Sequence, residues 1–245
     1  MTWDYSLHYA KFHPDDPGHR RGLTLLHQRM LAPHLPAERA TPILDVGCGR
    51  GYALEDIQTL GYTQLSGVET DAGQAASARA RGLAVVHASS TEAFLADKPG
   101  AYAAILLMDV LEHVPRENQQ RFLLAITRSL RPQGRLICSV PNAGSAIAGF
   151  WLHNDYTHHL SFTSDSLSFL LEQSGFGPVR CIGVEFFPRP RYLFWLPSGR
   201  TLAWLLRCWF RARRRAEFVA ELGWARGRTI ILTPNLLAVA EKART

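Results

Sequence analysis

The run Ile43-Leu44-Asp45-Val46-Gly47-Cys48-Gly49-Arg50-Gly51 constrains this chain more than any other. Its first four residues suit a buried strand. Three glycines in the next five residues then force a tight turn, and Tyr52 to Leu60 continues at helical spacing. Such a turn brings backbone N–H groups and a helix N-terminus close to a ligand, because glycine has no Cβ to hold it away. The spacing departs from the dinucleotide fingerprint Gly-x-Gly-x-x-Gly: the third glycine, Gly51, comes one residue early, and Tyr52 takes its place. A second apolar run, Gln64 to Glu69, closes on an acid 22 residues after Gly47, the separation one βαβ unit imposes. A carboxylate there can accept hydrogen bonds from both hydroxyls of a ribose.

The same alternation continues. Strands are predicted at 42–46, 64–69, 83–87, 101–108 and 135–140. Helices are predicted at 51–60, 71–80, 90–96, 116–130 and 164–174, with Pro132-Gln133-Gly134 as the turn into the fifth strand. Strands alternating with helices imply a parallel sheet covered on both faces. Two further strands, within 179–187 and 229–241, are expected to pair antiparallel as the end of a seven-stranded sheet. The expected architecture is therefore α/β, a Rossmann-like doubly wound sheet, mostly parallel with an antiparallel last strand and a helical insertion before it. One domain is expected over 1–245. Within it, 1–40 forms a helical lid, 41–187 and 229–245 form the core, and 188–228 form the insertion. The helix over His19–Leu35 is expected to cover the sheet edge or the ligand. Tyr5, Tyr9, Lys11 and His13 precede it as either a lid or a packed terminus.

Four motifs fall at strand ends: the glycine turn, Gln64–Glu69, Asp109-Val110-Leu111-Glu112-His113-Val114-Pro115, and Ser139-Val140-Pro141-Asn142. In order and spacing they resemble class I S-adenosylmethionine-dependent methyltransferases. The resemblance implies that Gly47, Cys48, Gly49 and Gly51 wrap the methionine part of S-adenosylmethionine. Asp45 would orient that loop or the ammonium, Glu69 would take the ribose, and Met108 and Asp109 would lie under the methionine moiety. Ala88 and Ser89 stand beside the adenine, where this family often has an aspartate.

The stretch Asn154-Asp155-Tyr156-Thr157-His158-His159 follows the fifth strand and is similar to a segment of methyltransferases found with bacterial surface-polysaccharide biosynthesis. That resemblance implies His158 as general base, with Asp155 orienting it and His113 as the second candidate. A hydroxyl must lose its proton as it is methylated, and a neutral histidine suits that work. No residue spacing indicates a metal, although Glu112, His113 and His158 form a conceivable ligand set. The expected activity is O-methylation of a sugar hydroxyl on a surface glycan or its lipid-linked precursor. The alternatives are a quinone-precursor or natural-product O-methyltransferase and a non-catalytic cofactor-binding module.

Charge is localised. From Arg189 to Arg228 there are ten arginines against Glu217 and Glu221, a balance of +8, so the rest of the chain carries −2 of the total +6. Four of six tryptophans also fall within 188–228. Leu202, Leu205, Leu206 and Trp209 form one helical stripe, and Arg207, Arg211 and Arg214 form another. This composition fits contact with a membrane surface or lipid-linked substrate, or equally an apolar stripe packed on the protein or a second subunit with the arginines in solvent. Nucleic acid ranks last, because the patch is confined. The N-terminal residues lack the apolar core of a secretion signal, and Cys48, Cys138, Cys181 and Cys208 show no metal spacing, so reduced, mostly buried thiols in the cytoplasm are expected.

Overall fold

A computed structural model describes residues 16–187 and 199–244. The stretch with Tyr5, Tyr9, Lys11 and His13 lies outside the described residues, as does Trp195. The chain runs α1 (Pro17–Leu31), β1 (Ile43–Val46), α2 (Tyr52–Gln58), β2 (Leu65–Glu69), α3 (Ala72–Ala80), β3 (Val85–His87), α4 (Thr91–Leu95) and β4 (Tyr102–Met108). It continues through a short turn of 3-10 helix (Leu111–His113) to α5 (Arg116–Ser129), β5 (Leu130–Pro141), α6 (Ala148–Asn154), α7 (Ser164–Glu172) and β6 (Arg180–Val184). The insertion supplies α8 (Gly199–Leu222) and α9 (Trp224–Gly227) before β7 (Asn235–Glu241).

The seven strands form one sheet in the order β3-β2-β1-β4-β5-β7-β6. Strands β1 to β5 pair in parallel, and β7 runs antiparallel to both β5 and β6. The C-terminal ends of β1, β2, β4, β5 and β6 and the N-terminal end of β7 therefore share one rim. Open α/β sheets bind their ligands at that rim.

Alternation within the central strands builds two cores. Leu44, Val46, Ile105, Leu107, Leu136 and Cys138 pack against Phe122, Leu123 and Ile126 of α5 and Leu167 and Leu171 of α7. Their neighbours Ile43, Ala104, Leu106 and Ile137 point the other way, onto Leu31 of α1 and Ala53 and Ile57 of α2. Strands buried on both faces read as continuous apolar runs, as Ala103 to Met108 does. Each such side chain contributes about 1.5–3 kcal/mol by leaving water.

Helix α1 begins where Asp16 caps it, its carboxylate accepting from the His19 N–H at 2.7 Å. It covers a face of the sheet, not the edge, and it is clamped to α2. Arg20 donates to both oxygens of the buried Asp56 at 2.7 and 2.9 Å, and His27 Nδ1 lies 2.7 Å from the same carboxylate. Burial alone would push the Asp56 carboxyl up, but the hydrogen bonds from His27 and Arg20 outweigh it and hold it below the ordinary carboxylate range.

One detail differs from expectation. Strand β5 begins at Leu130, paired with Tyr102, and the expected turn is an irregularity inside it, with Gln133 in a left-handed conformation at φ 62°. The cysteines are free thiols, Cys48 and Cys138 buried, Cys181 partly buried and Cys208 on α8 exposed.

The insertion reverses one expectation. The arginine stripe of α8 faces the protein: Arg211 pairs with Glu185, and Arg207 reaches the Phe187 carbonyl. Arg215 donates to the carbonyls of Gly227 and Ile230 at 2.8 and 2.6 Å. The apolar stripe is the outward one, with Leu202, Leu205, Leu206, Trp209 and Phe210 all exposed. Carbonyls and a carboxylate at the foot of α8 could be satisfied only by donors, so the guanidinium side turned inward. Self-packing of the leucine stripe is thereby excluded among the described residues.

Candidate active site at the sheet rim

The glycine turn supplies the floor of the site. Gly47, Gly49 and Gly51 all adopt left-handed conformations, at φ 67°, 55° and 80°. A Cβ on Gly47 would stand 2.6 Å from Val110 Cγ2. The Cys48 side chain packs onto Gly67, where a Cβ would meet its Sγ at 2.6 Å, so this residue offers the rim its backbone. Gly49 N–H donates to Glu69 Oε2 at 2.7 Å, and Asp71 N–H donates to Oε1 at 2.9 Å. Thus β2 ends in a carboxylate fixed against the turn of β1. Ala88 N–H binds the Glu69 carbonyl at 3.0 Å, and Ser89 is exposed beside it. The glycine turn, Glu69 and the Ala88-Ser89 stretch thus lie together at the rim.

Most buried hydrogen-bonding groups in proteins find a partner. Here the exceptions among the described residues, apart from Arg214 Nε on α8, concentrate at this rim: Asp45 Oδ1, Gln74 Oε1, both oxygens of Glu112, Trp151 Nε1 and Ser161 Oγ. Burial, reinforced by the nearby Glu69 carboxylate, pushes Asp45 up to about 8. A left-handed glycine cradle, an orphan carboxylate oxygen and a second fixed carboxylate suit a ligand carrying a cation and a pair of hydroxyls. S-adenosylmethionine has both, and the residues present fit it.

Strand β4 leads to a strained residue. Asp109 has φ 53°, unusual for any residue but glycine. Its Oδ1 accepts from Ser139 Oγ at 2.9 Å and from Asn235 Nδ2 at 2.8 Å. Strain of this kind collects at functional sites because the surroundings must hold it in place.

Beyond Asp109 lie the histidines. His113 and His158 meet edge to face, with ring centroids 4.6 Å apart. His158 Nδ1 donates to the Trp151 carbonyl at 3.0 Å, which leaves Nε2 as the lone-pair nitrogen. Asp155 Oδ2 lies 3.8 Å from that Nε2, close enough to stabilise a charge but too far for a hydrogen bond. Asp155, expected to orient the His158 ring, approaches it through Oδ2; its Oδ1 accepts from the Thr157 hydroxyl at 2.6 Å, and Thr157 Oγ1 lies 2.7 Å from His113 Nδ1. Burial would raise Asp155, but the two hydrogen bonds from Thr157 keep it below the ordinary carboxylate range, hence ionised. Burial, aided by the His158 ring, lowers His113 to about 4, so it stays neutral.

Glu112 is fully buried and is pushed well above the ordinary range by desolvation and then by Asp109. Its ligand atoms and those of His113 and His158 lie within 4.8 Å of one another. The fold thus brings together a donor set that could hold a divalent cation, although no sequence spacing announced it.

Sequence reasoning assigned no role to Thr157, Ser139 or Asn235. Thr157 lay inside the quoted Asp-aromatic-Thr-His stretch, and the polar Asn235 opening an apolar strand was the available signal for the third.

A sequence profile described as "Methyltransferase domain" matches residues 18–180. A ubiquinone biosynthesis O-methyltransferase of Dinoroseobacter shibae is 32% identical over 176 residues, covering 66% of this chain and 69% of that protein. One of the same name from Cereibacter sphaeroides is 31% identical over 191 residues, covering 71% and 74%. Among solved structures, an S-adenosylmethionine-dependent methyltransferase of Archaeoglobus fulgidus superposes with a TM-score of 0.70 at 18% identity, over 98% of this chain and all of that one. A Burkholderia thailandensis 1,6-didemethyltoxoflavin N1-methyltransferase, with S-adenosylhomocysteine bound, superposes at 0.56 and 20% identity, over 98% and 86%.

Proposed function

Because this chain belongs to the methyltransferase-domain family and is an S-adenosylmethionine-dependent methyltransferase of class I fold, we propose that it methylates a hydroxyl of a quinone precursor. The observation that carries O-methylation is the His158 arrangement: Nδ1 is held by the Trp151 carbonyl, which makes Nε2 the proton-accepting nitrogen of the neutral ring, and a carboxylate lies 3.8 Å from it. The names of the relatives support the quinone-precursor class. A sugar hydroxyl is the second reading, supported by the resemblance of the Asn154–His159 stretch.

When bound, the cofactor supplies a methyl group already activated by its sulfonium. Gly47, Gly49 and Gly51 would give it close backbone approach, Glu69 would hold the ribose, and Asp45 would meet the ammonium. Met108 and Asp109 would support the methionine portion, with Ala88 and Ser89 beside the adenine. His158 Nε2 takes the acceptor proton, and Asp155 stabilises the resulting imidazolium. His113, neutral and tied to Thr157, packs edge-on against the base and positions it. Fixed geometry and exclusion of water supply much of the remaining rate.

Methyl-labelled cofactor offered to hydroxylated aromatic quinone precursors and to glycolipid and polysaccharide fractions separates the readings. Label in the aromatic fraction is the expected result. Label confined to the glycan fractions replaces it with the second reading, and no label in either overturns both.

Asp45 makes cofactor binding pH-dependent. Its folded value, about 8, lies far above the ordinary 3.8, so near neutrality the free protein holds most of a proton there. A bound ammonium favours the ionised form. Calorimetry in buffers of different ionisation enthalpy should therefore detect release of about one proton per cofactor bound near pH 7. Apparent affinity should rise with pH towards about pH 8, where the ammonium begins to lose its own proton and the gain ends. Asp45→Asn should release none. Buffer-independent heats for the unmodified protein would remove Asp45 from the ammonium.

A further inference from the structure

We propose that the outward face of α8 is a docking surface for an anionic lipid bilayer, laid beside the mouth of the active site. The face is made by Leu202, Leu205, Leu206, Trp209 and Phe210, spaced one helical turn at a time. Leu202 is 60% exposed and Trp209 58%. A contiguous stripe of large apolar side chains in water marks an interaction site. The helix runs 24 residues, yet no described helix is long and apolar enough to cross a membrane. Its geometry suits lying in the plane of a membrane surface, with aromatic and aliphatic groups in the acyl boundary.

Charge selects the occupant. Of the described arginines, Arg207, Arg211, Arg214 and Arg215 are partly buried and hydrogen-bonded within the protein, but Arg200, Arg213, Arg226 and Arg228 remain exposed around the helix and its α9 extension. Arg213 and Arg226 have only exposed carboxylates, Glu217 and Asp165, as partners. Apolar side chains bordered by exposed arginines complement a surface that is apolar beneath and negative above, which is an anionic headgroup layer. A second copy of this chain would bring the same positive border against its own.

Position gives the surface its use. The insertion leaves from the end of β6 and returns at the start of β7, so both its stems stand at the rim that holds the glycine turn and the histidines. The returning stem is fastened there: Asn142 Nδ2, at the end of β5, donates to the carbonyls of Ile231 and Thr233 at 2.9 and 2.7 Å. Docking through α8 would bring that rim to the membrane surface. The inference does not depend on which acceptor is methylated.

The test is flotation with vesicles, using the intact protein. Vesicles containing phosphatidylglycerol should capture it about tenfold more strongly than pure phosphatidylcholine, and high salt should erase the difference. The double variant Leu205→Glu, Trp209→Glu, both positions outward-facing, should lose vesicle capture while keeping cofactor affinity, which certifies its fold. Absence of capture by anionic vesicles, or capture indifferent to these substitutions, overturns the proposal. A concentration-dependent dimer that the same substitutions dissolve, without vesicle capture, overturns it in favour of a subunit contact. If the double variant does not fold, the salt and headgroup dependence of the unmodified protein decides.

Discussion

Replacing His158 with alanine is expected to lower turnover about 100- to 10,000-fold, the range a positioned general base contributes. Cofactor affinity should stay within about twofold, because the ring touches none of the glycine turn, Asp45 or Glu69. The deficit should shrink as the acceptor hydroxyl becomes more acidic, since an acceptor that ionises readily needs less help. His113→Ala should cost less, about tenfold, through loss of positioning, for a ring held near 4 is a poor proton acceptor. Steady-state turnover with a graded series of phenols measures both. Loss of turnover that is equal for acidic and weakly acidic phenols would assign His158 to acceptor binding. A larger loss in His113→Ala than in His158→Ala would exchange their roles.

Gly51→Val should lower stability by about 4 kcal/mol and cofactor affinity about 100-fold. The backbone at Gly51 has φ 80°, which a β-branched residue resists at a cost of about 1–3 kcal/mol. A Cβ there would also stand 2.2 Å from Leu83 Cδ1 and 3.3 Å from Ala78 Cβ. Leu83 can swing aside, but Ala78 sits on α3 and cannot, so crowding adds about 1–3 kcal/mol. In a protein of this size the melting temperature should fall by roughly 10 °C. Gly61 is the control: its φ is 90°, yet a Cβ there meets nothing. Gly61→Val should show the strain alone and leave cofactor affinity unchanged, since a displacement of about 1 Å in a binding turn is what costs affinity. Equal effects at the two positions would mean that the packing behind the turn contributes nothing.

The contrast between these residues shows what a sequence reveals. The glycine turn was legible because its physics is local: an apolar strand, three glycines and a helix within a few residues of one another. Glu69 was legible because one βαβ unit fixes its distance from the turn. Neither condition holds for Asn235, which meets Asp109 only because β7 inserts between β5 and β6, far along the chain. The Asp155–Thr157–His113 chain was hidden for a similar reason. Its first link is local, but the second joins two strand-end loops, and the spacing alone made His158 the natural partner of Asp155. On α8 both stripes were visible, yet their direction was not. Which one turned inward was decided by Glu185 and by the carbonyls of Phe187, Gly227 and Ile230, none of which is marked in the helix itself.

The bond from Asn235 to Asp109 also sets a timetable. Asp109 leaves the ribosome with more than half the chain still to come; Ser139 of β5 reaches it first, its carbonyl accepting the Asp109 N–H and its hydroxyl donating to Oδ1, but the second bond to that oxygen waits for Asn235, the opening residue of the last strand. Strand β7 pairs with β5 and brings the edge strand β6 into the sheet with it, after a long helical detour, and distant pairings of this kind form late. The nascent protein can therefore carry a finished glycine turn while Asp109 still lacks one of the two bonds to its Oδ1. Asp109 gains its full set of side-chain bonds only when Asn235 reaches the rim, so the strand that closes the sheet also completes the bracing of this corner.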